Sequence, residues 1–193
     1  TGYTRNPWNM QKNPGGSSAG AAASVAAGIT PVALGTDGGG SIRIPAALTG
    51  LFGMKAHFGR IPVWPTSATP TLAHVGPLTR NVADSALLLS VLAGHDTRDP
   101  FSVAGPMPDI GAAIRRGVSG LRIAYCPTLG YARPDPDVVE VTRAAALQFE
   151  ALGCVVEELD SAFFRDPAAP WTAEFSAGVG TRLRNVVEDD SDL

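Results

Sequence analysis

Ser17 and Ser41 stand 24 residues apart, and each follows a run of glycines: Gly15-Gly16 before the first, Gly38-Gly39-Gly40 before the second. Glycine takes dihedrals that other residues avoid and carries no side chain to block approach. Successive backbone N–H groups in such a run can therefore turn toward one point. A nest of this kind holds an anion, or an oxyanion that develops during a reaction. A serine ending the nest, Ser41, sets its hydroxyl beside those donors, the layout of a nucleophile next to an oxyanion hole. The chemistry this pattern points to is acyl transfer. Two blander readings stay open on pattern alone. A glycine-rich loop is more often a plain turn, and Ser17-Ser18 reads most simply as a helix cap. A phosphate cradle is disfavoured, since there is no G-x-x-x-x-G-K-[ST] and residues 35–40 do not give G-x-G-x-x-G.

The elements around these loops must bring them together. Residues 18–28 are small and helix-compatible, and Gly28 is a helix stop. As a helix they travel ~16 Å at ~1.5 Å per residue. Pro31–Gly35, if extended, returns ~16 Å at ~3.3 Å per residue. The outward and return lengths match, so the loop 36–41 is expected beside Gly16-Ser17-Ser18, at one end of a sheet and near the positive end of the helix. Residues 42–54 are apolar with interruptions, and residues 56–80, with four prolines, are expected to be loop-like. Asn81–Ala93 is the clearest amphipathic helix, with Asn81 as cap, Asp84 at the capping-box position and Gly94 after its end. Residues 95–108 read as an exposed linker. Ile110–Arg116 is a short helix candidate. Leu121–Cys126, a helix opened by Asp135-Pro136 and ended at Gly153, and Cys154–Leu159 read as a βαβ unit with parallel strands. Residues 171–184 are expected to add one more helix. The fold class is α/β.

Composition narrows the function classes. The chain has 193 residues, 45% apolar and 17% charged, with net charge −3. That is enough apolar content for a core and excludes simple disorder. No basic block marks a nucleic-acid surface, and no apolar run reaches the ~18 residues that span a bilayer. Cys126 and Cys154 sit in short apolar runs and read as buried reduced thiols, which with the lack of a leader points to a cytoplasmic protein. There are two lysines, Lys12 and Lys55, and the first residue is Thr1. The opening Thr1–Trp8 reads like the interior of a loop, so the chain is expected to be a core fragment.

At this point a resemblance emerges. Asn13-Pro14-Gly15-Gly16-Ser17-Ser18-Ala19-Gly20, followed by Gly35-Thr36-Asp37-Gly38-Gly39-Gly40-Ser41-Ile42-Arg43-Ile44-Pro45-Ala46, resembles the amidase signature family. Gly50-Leu51-Phe52-Gly53-Met54-Lys55 and Gly76-Pro77-Leu78-Thr79-Arg80 with Val82-Ala83-Asp84 fit as well. The likeness is strong from about Thr4 to Ser102 and then fades. It implies a mixed β-sheet covered by helices, present in part, with N- and C-terminal portions of the family domain missing. The domain reading is one partial domain over 1–193: a signature core at 1–94, a linker-like loop at 95–108, and a βαβ and helical extension at 109–193.

The resemblance also implies a Ser–cis-Ser–Lys triad that hydrolyses carboxamides through an acyl-enzyme. Ser41 matches the nucleophile, and Ser17 the bridging serine, with the Gly16–Ser17 bond expected cis. The N–H groups of Gly38, Gly39, Gly40 and Ser41 match the oxyanion hole. Ser18, Thr36, Asp37 and Arg43 match supporting positions, with Asp37 and Arg43 expected to form a surface pair of little stabilising value. No metal or organic cofactor is implied. Lys12 is too close to Ser17 to be the catalytic lysine and Lys55 matches another position, so that lysine is expected outside this chain and the chain alone is expected to be nearly inactive. The implied partners are a small-molecule amide, no nucleic acid, no membrane, and a homo-oligomer through apolar surface left by missing segments. One alternative is the amidase-like component of a tRNA-dependent amidotransferase, which draws ammonia from glutamine and needs partner chains. Pro70–Gly76 looks more like a generic amidase. Another alternative is an amidase-like binding module without catalysis. His74 is read as a structural or surface histidine in preference to a substrate-lining one, and His95 as solvated. Asp189, Asp190 and Asp192 read as a solvated acidic tail. Trp8 and Trp64 read as buried packing or pocket lining.

Overall fold

The computed structural model describes residues 2–159 and 164–189. Asp190 and Asp192 of the acidic tail lie outside these residues. The chain divides into two compact units, Thr1–Ile114 with Glu174–Leu193, and Arg115–Ala173.

The first unit carries both serines. α1 (Ala19–Ala26) forms from an alanine-rich run of high helix propensity. It leads into β1 (Val32–Asp37), α2 (Arg43–Thr49), β2 (Phe52–Gly53) and β3 (His74–Thr79). α3 (Val82–Leu92) and α4 (Ile110–Arg115) follow. The strands form an antiparallel sheet in the order β1-β3-β2. β1 and β3 run from Val32 opposite Thr79 to Asp37 opposite His74. The loop expected over 56–80 therefore needs correction, because His74–Thr79 near its end is the central strand. Pro77 is tolerated there: it lacks an N–H, but its carbonyl accepts from Met54 N–H at 3.2 Å.

The apolar run 42–54 resolves into α2 and β2. Pro45 falls in the first turn of α2, where a missing N–H costs no intrahelical bond. One core cluster joins Ala22 of α1, Ile42, Ala46 of α2 and Leu78 of β3. A second joins Ala56, Ile61 and Leu89 of α3. Asn81 caps α3 as expected, its side chain accepting from Asp84 N–H at 2.8 Å.

The stretch 95–108 is largely exposed, as expected, but it is anchored to a neighbouring loop. Asp99 is only 7% exposed, and Val103 N–H bonds to Gly59 O at 2.9 Å. Polar composition does not separate a solvated segment from one whose polar groups are satisfied by a neighbouring loop.

In the second unit β4 (Arg122–Tyr125), α5 (Pro136–Ala151) and β5 (Val155–Glu158) make the expected βαβ with parallel strands. Asp135 caps α5 ahead of Pro136, accepting from Asp137 N–H. Cys154 is buried and donates to Val118 O, Cys126 is half-buried, and neither is in a disulfide. α6 (Ala168–Asp189) is the last helix and is longer than expected at both ends. Among the described residues no helix is long and apolar enough to cross a membrane.

Candidate active site

The two serine loops do come together, although α1 with eight residues (about 12 Å) and β1 with six (about 20 Å) are not the matched lengths expected. Ser18 N–H donates to Ser41 O at 3.3 Å, and Thr36 N–H donates to Ser18 Oγ at 3.1 Å. Ser18 is the N-cap residue of α1, yet its side chain makes no capping bond. Its hydroxyl instead ties the helix start to the end of β1. Gly35 permits this approach: a Cβ there would lie 2.9 Å from Ser18 Oγ and 3.0 Å from Ile42 Cγ1. The Gly16–Ser17 peptide bond is cis.

Between β1 and α2 the chain turns through Gly38–Ser41 around Asp37. The Asp37 side chain is fully buried, and Arg43 is 53% exposed. Asp37 Oδ1 accepts from Gly40 N–H at 2.6 Å and Arg43 Nη2 at 2.9 Å. Its Oδ2 accepts from Ile42 N–H at 3.2 Å and Arg43 Nε at 2.9 Å. The pair is thus not a surface pair, as expected from sequence, but the centre of the loop. Burial alone pushes the Asp37 carboxyl up. The hydrogen bonds from Arg43, Gly40 and Ile42 and the guanidinium charge outweigh it and hold the group well below the usual carboxylate range. Asp37 is therefore ionised at neutral pH.

This arrangement changes one expected role. Gly40 N–H is committed to Asp37, so it is not a donor toward the cleft, and Gly40 (φ 119°) shapes the turn instead. The N–H groups of Gly39 and Ser41 have no acceptor among the described residues.

Ser17 and Ser41 line one cleft of about 320 Å³, together with Thr36, Asp37 and Gly38. Its other wall comes from Val63, Ser67, Thr69, Ala73, Val75 and Phe175. Sequence reasoning did not single out these six. The signal available was the hydroxyl-rich, proline-punctuated run 62–71. His74 also lines the cleft, contrary to the preferred structural or surface reading. Its place follows from pairing opposite Asp37. Its Nδ1 lies 2.8 Å from Leu72 O, and its ring meets the Phe58 ring edge-on at 5.5 Å. Trp8 and Trp64 are neither buried nor in the cleft, being 72% and 55% exposed. Trp8 Nε1 donates to Thr49 O at 2.7 Å and so serves α2. Lys12 is exposed, Lys55 is half-buried, and neither lines the cleft. Among the described residues no group of three or more His, Cys, Asp or Glu is placed to hold a metal ion.

The Amidase family model matches residues 1–172. The chain belongs to the amidase signature family. It is 45% identical over 165 residues to the A chain of the glutamyl-tRNA(Gln) amidotransferase of Synechococcus sp. (strain RCC307), covering 85% of this chain and 34% of that protein. It superposes on a bacterial aryl acylamidase of the same family with a TM-score of 0.89 and 38% identity, over 97% of this chain and 39% of that one. The corresponding glutamyl-tRNA(Gln) amidotransferase chain of Thermotoga maritima gives a TM-score of 0.82 and 34% identity, over 95% of this chain and 40% of that one. The chain thus spans between a third and two-fifths of these amidase signature relatives, and its mixed α/β fold is an incomplete version of theirs.

Proposed function

We propose that this chain is the serine-bearing core of an amidase that hydrolyses a carboxamide through an acyl-enzyme. The observation that carries the reading is the opening of Ser17 and Ser41 into one cleft beside a glycine turn with uncommitted N–H groups. Ser41 Oγ attacks the amide carbon and forms the tetrahedral intermediate. The N–H groups of Gly39 and Ser41 take up the developing oxyanion, with Gly38 in the wall. Ser17 passes the Ser41 proton toward a base and returns one to the departing nitrogen. The C–N bond breaks, ammonia or an amine leaves, and the acyl group remains on Ser41. Water then adds to the ester carbon, and the acid departs as the Ser41 hydroxyl is restored. Ser18, Thr36, Asp37 and Arg43 hold the two loops in register. The base is a lysine supplied from outside these 193 residues, since Lys12 and Lys55 stand away from the cleft.

A sulfonyl-fluoride probe with peptide mapping tests the nucleophile: modification at Ser41 is expected, and modification elsewhere removes the assignment. Turnover by the isolated chain at the rate of the complete protein would contradict the external lysine.

A second reading, the amidase-like component of a tRNA-dependent amidotransferase, is favoured by the name of the 45%-identical Synechococcus relative. Under it the amide is glutamine and the ammonia passes to partner chains. Comparing glutamine with aryl and alkyl amides on the complete protein separates the two. We place the simple amidase first on the likeness to the aryl acylamidase structure.

A further inference from the structure

We infer that Asp99 is a positioning residue for the cleft, fixing the wall that Val63 presents to the substrate. This rests on the amide-hydrolase reading of the cleft. Asp99 lies in the polar stretch 95–108 and is nevertheless 7% exposed. Among the described residues no basic side chain forms an ion pair with it. Its two oxygens are divided between two backbone donors: Oδ2 accepts from Val63 N–H at 2.8 Å, and Oδ1 from Phe101 N–H at 2.9 Å. A carboxylate held without a cation needs those bonds, because burial leaves it no water to replace them. Two further bonds clamp the same pair of loops, Val103 N–H to Gly59 O at 2.9 Å and Gly94 N–H to Arg60 O at 3.2 Å.

Three residues of this wall border two spaces. Val63, Ser67 and Ala73 line the cleft on the side of Ser17 and Ser41. The same three residues also line an adjoining space of about 20 Å³, shared with Asp99, Phe58 and Phe101. That volume admits about one water molecule, so Asp99 and the cleft wall are in close reach of each other. The Phe58 ring meets Phe101 at 5.5 Å and His74 at 5.5 Å, which ties the loop of Asp99 to a second cleft residue. Removing the Asp99 oxygens frees Val63 and alters the space for the acyl group. Ser41 and its turn, held by Asp37, stay in place. The expected signature is therefore in KM and acyl-group selectivity rather than in kcat.

The test uses the complete protein, an aryl amide substrate, and the variants Asp99→Ala, Asp99→Asn, Val63→Ala and Ser41→Ala. Asp99→Ala is expected to raise exchange of the Val63 amide hydrogen by at least about tenfold, the factor for one lost bond to a charged acceptor. It is also expected to raise KM by about tenfold with kcat within about twofold, on the same lost bond. Asp99→Asn keeps one acceptor oxygen and is expected to recover part of both effects. Faster exchange with unchanged KM, or unchanged exchange, overturns the proposal. If Asp99→Ala does not fold, Val63→Ala decides: it leaves the backbone bond intact, and an unchanged KM overturns the proposal. Activity that survives Ser41→Ala removes the amidase reading instead, and the exchange measurement still decides whether Asp99 anchors the wall.

Discussion

Replacing Asp37 with alanine is the sharpest perturbation of the loop between β1 and α2. The substitution removes both acceptors at once. Gly40 N–H and Ile42 N–H, held at 2.6 and 3.2 Å, lose their partner in a buried setting. Each buried donor left unpaired costs about 1–3 kcal/mol. Arg43 loses three bonds as well, a long one from its N–H at 3.4 Å and two from its guanidinium, but its side chain is 53% exposed and water replaces the latter two, so their share is below about 1 kcal/mol. The expected loss is about 3 kcal/mol, or about 6–12 °C in Tm for a domain of this size. Equilibrium denaturation reads the stability. The rate at which a sulfonyl fluoride modifies Ser41 reads the turn, and it is expected to fall with the stability because Gly40 and Ser41 move together. Asp37→Asn, which keeps one carbonyl oxygen, is expected to lie between. A loss below about 1 kcal/mol with unchanged Ser41 labelling would refute the reasoning, because it would mean the glycines hold the turn without the carboxylate.

Further outcomes follow from the same contacts. The Asp37 carboxyl lies below its ordinary 3.8 in the folded protein, so its contribution is full above that pH and is lost as pH falls beneath it. The stability difference between the native chain and Asp37→Asn is therefore expected to be flat from neutral pH to about 5 and to shrink below about 4, as pH-dependent denaturation would show. Gly35→Ala sets a Cβ 2.9 Å from Ser18 Oγ, and is expected to cost about 1–3 kcal/mol and to slow Ser41 labelling. Ser18→Ala removes the acceptor of Thr36 N–H, and is expected to cost about 1 kcal/mol with slower labelling. Unchanged labelling there would mean that the Ser18 hydroxyl does not hold the two serine loops in register. Asn81→Ala is expected to lower stability by about 1 kcal/mol through loss of the α3 cap, with labelling unaffected.

The meeting of Ser17 and Ser41 was legible because it depends on chain direction: a helix followed by a tight turn and a strand running back returns the chain toward its start, even though α1 and β1 differ in length from the stretches expected. The βαβ unit was legible for a similar reason, its turn residues and apolar runs all pointing the same way. β3 was not. Gly76-Pro77 breaks the strand pattern, and nothing in the residue types shows that Pro77 would use its carbonyl alone. With β3 unread, the pairing of His74 opposite Asp37 was unreadable too, since register belongs to two strands rather than one. The wall formed by Val63 and Phe175 joins residues more than a hundred positions apart, which no local pattern encodes.

The two buried aspartates show a more general limit. In a sequence, Asp beside glycine or in a polar run reads as a solvated turn, because that is where most aspartates are. Asp37 and Asp99 are buried because backbone N–H groups already converge on them. The glycines of residues 38–40 allow many conformations and so choose none. A buried carboxylate that needs Gly40, Ile42 and Arg43 as donors is satisfied by few of those conformations, and it thereby selects the turn. The division of labour then follows from which N–H groups the carboxylate takes. Gly40 is drawn inward, and the N–H groups of Gly39 and Ser41, one residue to either side, are left without an acceptor among the described residues. Glycine content thus permits an oxyanion site, while the charge that forms it is the one most easily mistaken for surface.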